Sequence, residues 1–445
     1  MELCQVENFD YSDTMPGASR AEECEPLTVS SKECASTVSL TRSLTMSATH
    51  DQNSTPAVAS KLYLALELGW TSWNLAFTTG MGQKARLRTL PARDLEGLQR
   101  EIQRARQRFN LAADTPVVSC YEAGRDGFWL HRYLDKNGVA NSVVDSASIE
   151  VNRRARRAKS DRLDVAKLLT MLIRYHAGEH KIWSVVRIPS PDDEDRRQPH
   201  RELMSLKEER TEHSNRIKGL LANIGIDVAV DEELPKRLGL LRQWDGTPVP
   251  LELTARILRE FERWTLVNRQ VRNLEIAQWQ AFRKEETADV EKLRMLLNLK
   301  AVGPMSATLF VREFFGWREI KNRRELASLA GLAPTPYASG DSQREQGISK
   351  AGNRRLRWMA VEIAWSWTRW QPNSALSLWY QRRFGSGNSR LRKVGIVALA
   401  RKLLIALWRY LKDGEVPEGA EVIPWEKKLK KRTPSESAAI GAAAV

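Results

Sequence analysis

Cysteine and histidine are scarce in this chain. Four cysteines, Cys4, Cys24, Cys34 and Cys120, and six scattered histidines are spread over 445 residues without a C-x-x-C pair. Neither a zinc site nor a disulfide framework is therefore indicated. Long apolar runs are missing too: none reaches the roughly 18 residues that cross a bilayer, so a soluble cytoplasmic protein with reduced thiols is expected. Residues 1–58 lack hydrophobic periodicity and a basic segment leading into an apolar one. They are rich in Ser and Thr and mildly acidic, which predicts a disordered extension rather than a signal peptide.

What is present is charge, unevenly placed. Lys and Arg number 70 against 55 Asp and Glu, a formal charge of +15, and nucleic acid is the natural counter-charge. The cations cluster: Arg153, Arg154, Arg156, Arg157 and Lys159 in one run, then Arg354, Arg355 and Arg357, Arg382 and Arg383, Arg390 to Lys393, and a tail from Lys427 to Arg432. A charge run is often only a solvated face, but these recur beside the acidic and serine segments below, which favours phosphate contacts.

Four carboxylates stand out against this background. Leu62, Leu64, Leu66 and Leu68 alternate with Tyr63, Ala65 and Glu67 before Gly69, so Glu67 is expected at a strand end. The run Thr115 to Glu122 is built of β-formers and stops at Ala-Gly-Arg-Asp-Gly, which puts Glu122 at a second strand exit. Ser160 is a plausible N-cap for a helix opened by Asp161 and Asp164, whose spacing of three puts both on one face. First-turn acids also complement a helix dipole. Taken together, four hard oxygen ligands at one sheet edge suit Mg²⁺ or Mn²⁺, a layout for phosphoryl transfer.

Periodicity predicts an α/β plus all-α architecture. An α/β domain over 59–190 holds all four acids, with a helix near Asp94 to Arg108 and a strand near Ala140 to Val144. A helical, coiled-coil-like linker follows at 191–296. Its apolar seam Ile257, Phe261, Trp264, Val267, Val271 and Leu274 suits either a second protomer or an intramolecular hairpin. A mainly helical domain is expected at 297–415 and a basic flexible tail at 416–445. The stretch Leu299-Lys-Ala-Val-Gly-Pro-Met-Ser reads as a helix, hairpin, helix arrangement that can grip phosphate. Residues 331–342, Gly-Leu-Ala-Pro-Thr-Pro-Tyr-Ala-Ser-Gly-Asp-Ser, read as a loop. Beyond it, Lys350, Arg354 and Arg357 supply donors on a turn and helix. Fifteen tryptophans, among them Trp358, Trp365, Trp367, Trp370 and Trp379, suit core packing or, alternatively, base stacking.

The order of these segments, acids at 67, 122, 161 and 164 followed by GVGP-like, GLxP, SG and ISKxGNxxLR stretches, resembles the DEDD insertion-sequence transposases of the IS110 type, eleven-eleven subgroup, over about 61–415. Glu122 lies in Tyr-Glu-Ala-Gly and the aspartates in Lys-Ser-Asp-Arg-Leu-Asp, as in that family. Glu67 departs from it, standing where the family usually has Asp. The resemblance implies a RuvC-like, ribonuclease-H-type N-terminal domain and a C-terminal transposase domain with a nucleophilic serine. Of Ser339, Ser342 and Ser349, the family's SG motif falls on Ser339. It further implies site-specific DNA recombination at the element ends or junction and a target, an element-encoded guide RNA, a homodimer or tetramer, and a place at the bacterial nucleoid. Two other classes remain open on the residues alone: a metal-dependent junction-resolving hydrolytic nuclease, and a non-catalytic nucleic-acid-binding protein.

Overall fold

The computed structural model describes residues 60–149, 161–339 and 342–430. The N-terminal extension, together with Arg153, Arg154, Arg156, Arg157 and Lys159, lies outside the described residues.

A five-stranded sheet opens the described chain: β1 Leu62–Leu68, β2 Ser72–Thr78, β3 Arg86–Pro91, then α1 Leu95–Arg108, β4 Val117–Glu122, α2 Trp129–Lys136, β5 Val139–Val144 and α3 Asp161–His176. The spatial order is β3-β2-β1-β4-β5. β1, β2 and β3 form an antiparallel meander, whereas β4 and β5 run parallel to β1. The connections dictate this. The turn at Gly69 is so tight that a Cβ there would lie 2.4 Å from the Ser72 carbonyl oxygen, which forces a hairpin. The crossovers through α1 and α2 return the chain parallel. α1 is capped by Asp94, whose carboxylate accepts from Gly97 N–H at 2.8 Å, so it begins where the sequence predicts.

Both faces of the sheet are covered. Leu62, Leu64 and Leu66 pack with Leu98, Ile102, Leu130 and Leu134 on one side. On the other, Ala65, Ala76, Val118 and Cys120 pack with Val165, Leu168, Leu169 and Leu172 of α3. Each fully buried leucine contributes about 1.5–3 kcal/mol. The small Ala65 and Ala76 leave room for α3 to lie close to the strands.

The linker region holds α4 Pro191–Asp195, α5 Gln198–Ala222, α6 Leu234–Leu238 and α7 Leu251–Lys284. α5 and α7 pack as a helical hairpin within the chain. Ile257 meets Ile217 and Leu221 near the tip, and Val267, Val271 and Leu274 meet Leu203 and Leu206 further down. The apolar seam is thus covered intramolecularly rather than offered to a second protomer. Glu260 fixes the register: it accepts from His213 at 2.8 Å, Arg216 at 3.0 Å and Arg263 at 2.6 Å. Burial opposes its ionisation, but these donors outweigh it and hold the carboxyl down to about 2.

The C-terminal region contains α8 Ala288–Asn298, α9 Pro304–Phe310 continuing into a π turn at Val311–Phe315, α10 Arg323–Leu329, β6 Pro334–Ser339, β7 Ser342–Ile348, α11 Arg354–Trp370, α12 Ala375–Phe384, α13 Ser389–Asp413 and α14 Trp425–Lys430. Its core runs from Phe282 to Tyr410. Within 331–342, expected as a loop, residues 334–339 instead form β6, paired antiparallel with β7 so that Ser339 is opposite Ser342. Pro334 and Pro336 are tolerated because a two-stranded ribbon has free edges where a missing N–H costs little. The stretch from 416, expected as a flexible tail, is docked over residues 421–428. Ile423 N–H donates to Asn298 O at 2.7 Å and Lys300 N–H to Glu421 O at 3.1 Å. The Lys428 ammonium donates to the carbonyls of Leu297, Leu299 and Val302 at the end of α8. Of the singled-out tryptophans, Trp367 is fully buried, with its indole N–H on Ser374 Oγ at 2.8 Å. Trp358, Trp365 and Trp370 are exposed.

Candidate active site

Strand register brings the first two acids side by side. β1 and β4 are parallel neighbours paired from Leu62↔Val117 to Leu66↔Tyr121. One step further along, Glu67 and Glu122 end adjacent strands. Both lie on the face covered by α3, two residues beyond Ala65 and Cys120 respectively. Glu122 is exposed and Glu67 half-buried.

The direction of α3 decides where its aspartates go. His176, at the helix C-terminus, meets Tyr63 near the start of β1, with ring centroids 5.9 Å apart. Midway, the Cys120 thiol donates to the Leu168 carbonyl at 3.8 Å. The helix therefore runs antiparallel to β1 and β4, with its first turn toward their carboxyl ends. From Cys120 to Glu122 is about 6.6 Å of strand, and from Leu168 back to Asp164 is about 6 Å of helix. Asp164 thus stands level with Glu122, and Asp161 opens the same turn. The side chain of Asp161 lies outside the description. Among the described residues no three His, Cys, Asp or Glu side chains form a group that could hold a metal ion. The residues at this sheet edge and on the facing helix turn carry hard carboxylate oxygens, a donor type that suits a small divalent cation and no soft metal.

The serine segment is built elsewhere. β6 and β7 carry Ser339 and Ser342 at the tip of their ribbon, and the base of that ribbon is clasped by two glycines. Gly331, at φ +67°, and Gly352, at φ +95°, adopt left-handed conformations. A Cβ on Gly331 would lie 2.0 Å from Ala351 O, and one on Gly352 2.2 Å from Leu329 O. Ser349 N–H donates to Ala333 O at 2.8 Å and Asn353 N–H to Leu329 O at 2.8 Å. The Asn353 side chain then caps α11. The GLxP and SKxGN stretches are thus two halves of one backbone clasp, which sequence reasoning missed; the paired Gly residues flanking the serine are the signal that marks it. Ser349 sits inside this clasp with its hydroxyl enclosed and unpartnered among the described residues, which leaves it without access to a substrate phosphate.

Of the described cations beyond the ribbon, three differ. Arg354 and Lys350 are exposed. Arg357 donates to Ala330 O at 3.3 Å; burial and then the neighbouring Arg354 charge lower its pKa. It therefore serves the clasp as well as the positive surface.

Comparison with known proteins finds transposases. Residues 293–380 match the model of the transposase IS116/IS110/IS902 family. The chain is similar to a putative transposase, y4rJ, of Sinorhizobium fredii, 40% identical over 372 residues that cover 81% of this chain and 94% of the relative. It is also similar to the transposase for insertion sequence element IS1328 of Yersinia enterocolitica, 24% identical over 49% of this chain and 63% of that protein. A further likeness is to the insertion element IS110 uncharacterized 43.6 kDa protein of Streptomyces coelicolor, 27% identical over 29% and 32% of the two chains.

Proposed function

We propose, from the premise that this chain belongs to the IS116/IS110/IS902 family of transposases, that it cuts and rejoins DNA with Glu67, Glu122, Asp161 and Asp164 as a metal-holding acidic cluster and Ser339 as nucleophile. The observation that carries this reading is the antiparallel course of α3, which turns its acidic first turn toward the edge where Glu67 lies one residue before the end of β1 and Glu122 ends β4. Three meander strands followed by two parallel strands and a covering helix support a RuvC-like, ribonuclease-H-type reading of the sheet.

A divalent Mg²⁺ or Mn²⁺ at these carboxylates would supply charge neutralisation for the scissile phosphate. The protein's own residues do the rest. The four acids would hold that cation and so fix where the phosphodiester lies. The Ser339 hydroxyl attacks phosphorus, so that one phosphorus–oxygen bond to serine forms as one to the departing sugar oxygen breaks, and that oxygen leaves with a proton. The covalent phosphoserine conserves the bond energy for rejoining. Lys350, Arg354 and Arg357, with Arg153, Arg154, Arg156, Arg157 and Lys159, would neutralise flanking phosphates. A guide RNA encoded by the element would pair with DNA and leave the protein to grip backbone and shape.

The test is a denaturing gel of the full chain with its co-purifying RNA, labelled element-junction DNA and Mg²⁺, comparing wild type with Ser339→Ala. A slow-migrating protein–DNA adduct in wild type alone supports the serine chemistry. Free cleaved ends from both proteins would replace it with a hydrolytic mechanism.

A further inference from the structure

A second feature of the C-terminal region is unused by this chemistry. Trp365 and Thr368 of α11, Tyr380 and Gln381 of α12, Gly385, and Ser389, Arg392 and Lys393 of α13 line a cleft of about 340 Å³, at the small end of the range for ligand pockets. Its indole wall is Trp365, 43% exposed although it lies one helical step from the buried Ala364. Like Trp358 and Trp370 on the same helix, it leaves much of its indole face open to water.

The surroundings are strongly one-signed. Between Glu362 and Asp413 the chain has no acid at all. Arg382, Arg383, Arg390 and Arg392 are all exposed, and none forms an ion pair among the described residues. The cleft floor is fixed: Tyr380 is buried, and its hydroxyl donates to the Arg392 carbonyl at 3.4 Å, tying α12 to the first turns of α13. Gly385, at the end of α12, lies so close to Gln381 that a Cβ there would meet its backbone oxygen at 2.6 Å. An aromatic face, polar edges from Thr368, Gln381 and Ser389, and a rim of unpaired guanidinium groups match an unpaired nucleotide: a π-face to stack, base edges to hydrogen-bond and phosphates on either side.

We infer that the cleft between α11, α12 and α13 takes one unstacked base of a nucleic-acid strand against Trp365, with the neighbouring phosphates on Arg390 and Arg392. This rests only on the nucleic-acid handling in the reading above, and not on its acids or serine. An unpaired base of DNA and one of RNA present the same face and phosphate, so the probe must distinguish them.

The experiment measures equilibrium binding of the full chain to fluorescein-labelled mixed-sequence single strands, one of DNA and one of RNA, and to the DNA duplex, all in EDTA so that no cleavage chemistry contributes. Trp365→Ala is expected to weaken single-strand binding by about 5- to 150-fold, the worth of one base stacked on an aromatic ring, while duplex binding stays within twofold. Trp365→Phe restores most of the loss. Arg392→Ala lowers the salt slope on single strands by about 0.7, one phosphate's share. An abasic strand binds wild type as weakly as the intact strand binds Trp365→Ala, a control that needs no protein variant. Whichever of DNA and RNA shows the larger Trp365 effect is the source of the base. Equal binding of abasic and intact strands by wild type, or an equal loss on duplex and single strand in Trp365→Ala, would overturn the inference. Because the assay contains no divalent metal, failure of the proposed active site leaves its result unchanged, and the converse holds.

Discussion

Arg201 and Glu313 fasten the foot of the helical hairpin to the C-terminal core, and the cost of parting them follows from their burial. Glu313 lies in the π turn with its side chain only 2% exposed. Arg201, near the start of α5, donates to both its oxygens at 2.6 and 2.8 Å. Burial alone would raise the Glu313 pKa, but the Arg201 hydrogen bonds and charge, with Arg197 and Arg355 nearby, outweigh it and hold the carboxyl below its ordinary value. Arg201→Ala strands a buried carboxylate, an effect of about 3–5 kcal/mol in such pairs. We expect the low end, about 3 kcal/mol, because Arg197 and Arg355 still lend positive charge. The double replacement Arg201→Met with Glu313→Leu removes the stranded charge and should recover most of the loss. Hydrogen exchange of the amides in α5 and the π turn reads the local opening free energy directly. The sign with pH is fixed as well. A carboxyl depressed in the fold contributes stability that is complete above its unfolded pKa, about 4.3, and is lost as pH falls through the depressed native value. Wild-type protection should therefore hold at pH 7 and weaken in acid below that range. An Arg201→Ala protein within 0.5 kcal/mol of wild type, or a double variant no better than the single, would refute this account of the joint.

Other expectations concern the site and its supports. Asp161→Asn or Asp164→Asn should abolish strand cleavage with DNA affinity nearly unchanged in a filter assay; full cleavage in either removes the metal-site reading. Glu67→Asp should retain strand cleavage, since charge and strand position are kept, and complete loss would show a site adjusted to the longer side chain. Gly352→Ala forces a Cβ to 2.2 Å from Leu329 O at φ +95°, so the clasp should open at a cost of about 1–3 kcal/mol; limited proteolysis within 331–352 should accelerate, and an unchanged digest refutes it. His200, buried and without a ring hydrogen bond among the described residues, has its pKa lowered by burial to about 4. The unfolded chain takes that proton near 6.5, so stability should fall by about 3 kcal/mol from pH 6.5 to 4. His200→Leu should flatten that slope in urea titrations.

Local pattern carried much of the sheet. The alternation of Leu62 to Leu68, the β-formers ending at Glu122 and the cap at Asp94 are short-range signals, and the elements begin and end within a residue or two of where they predict. β2 and β3 are less legible, because β3 is an edge strand whose exposed Leu87, Arg88 and Thr89 break any alternation of buried and exposed positions. The serine ribbon was masked by Pro334 and Pro336, which imitate a loop until the edge positions of both strands are known. The docking of Ile423 and Lys428 depends on carbonyls more than 120 residues earlier in the chain, which no window of sequence contains. The acids lie between these cases. Each is readable by itself, but whether α3 points its first turn toward the strand ends depends on the direction of the helix, a property of packing.

The helical hairpin also has a mechanical consequence. Between Gln278, whose side-chain amide holds Thr308 at 2.6 Å, and Leu251 at the far end, α7 is a stiff rod of about 40 Å. Rotation by about 10° at its foot would sweep the far end through about 7 Å. Beyond the Arg201–Glu313 pair, the Gln278 amide and the Phe282 ring that seat its foot in the C-terminal core, the hairpin is a long arm, and forces applied at the tip act on those contacts with the leverage of that arm's full length.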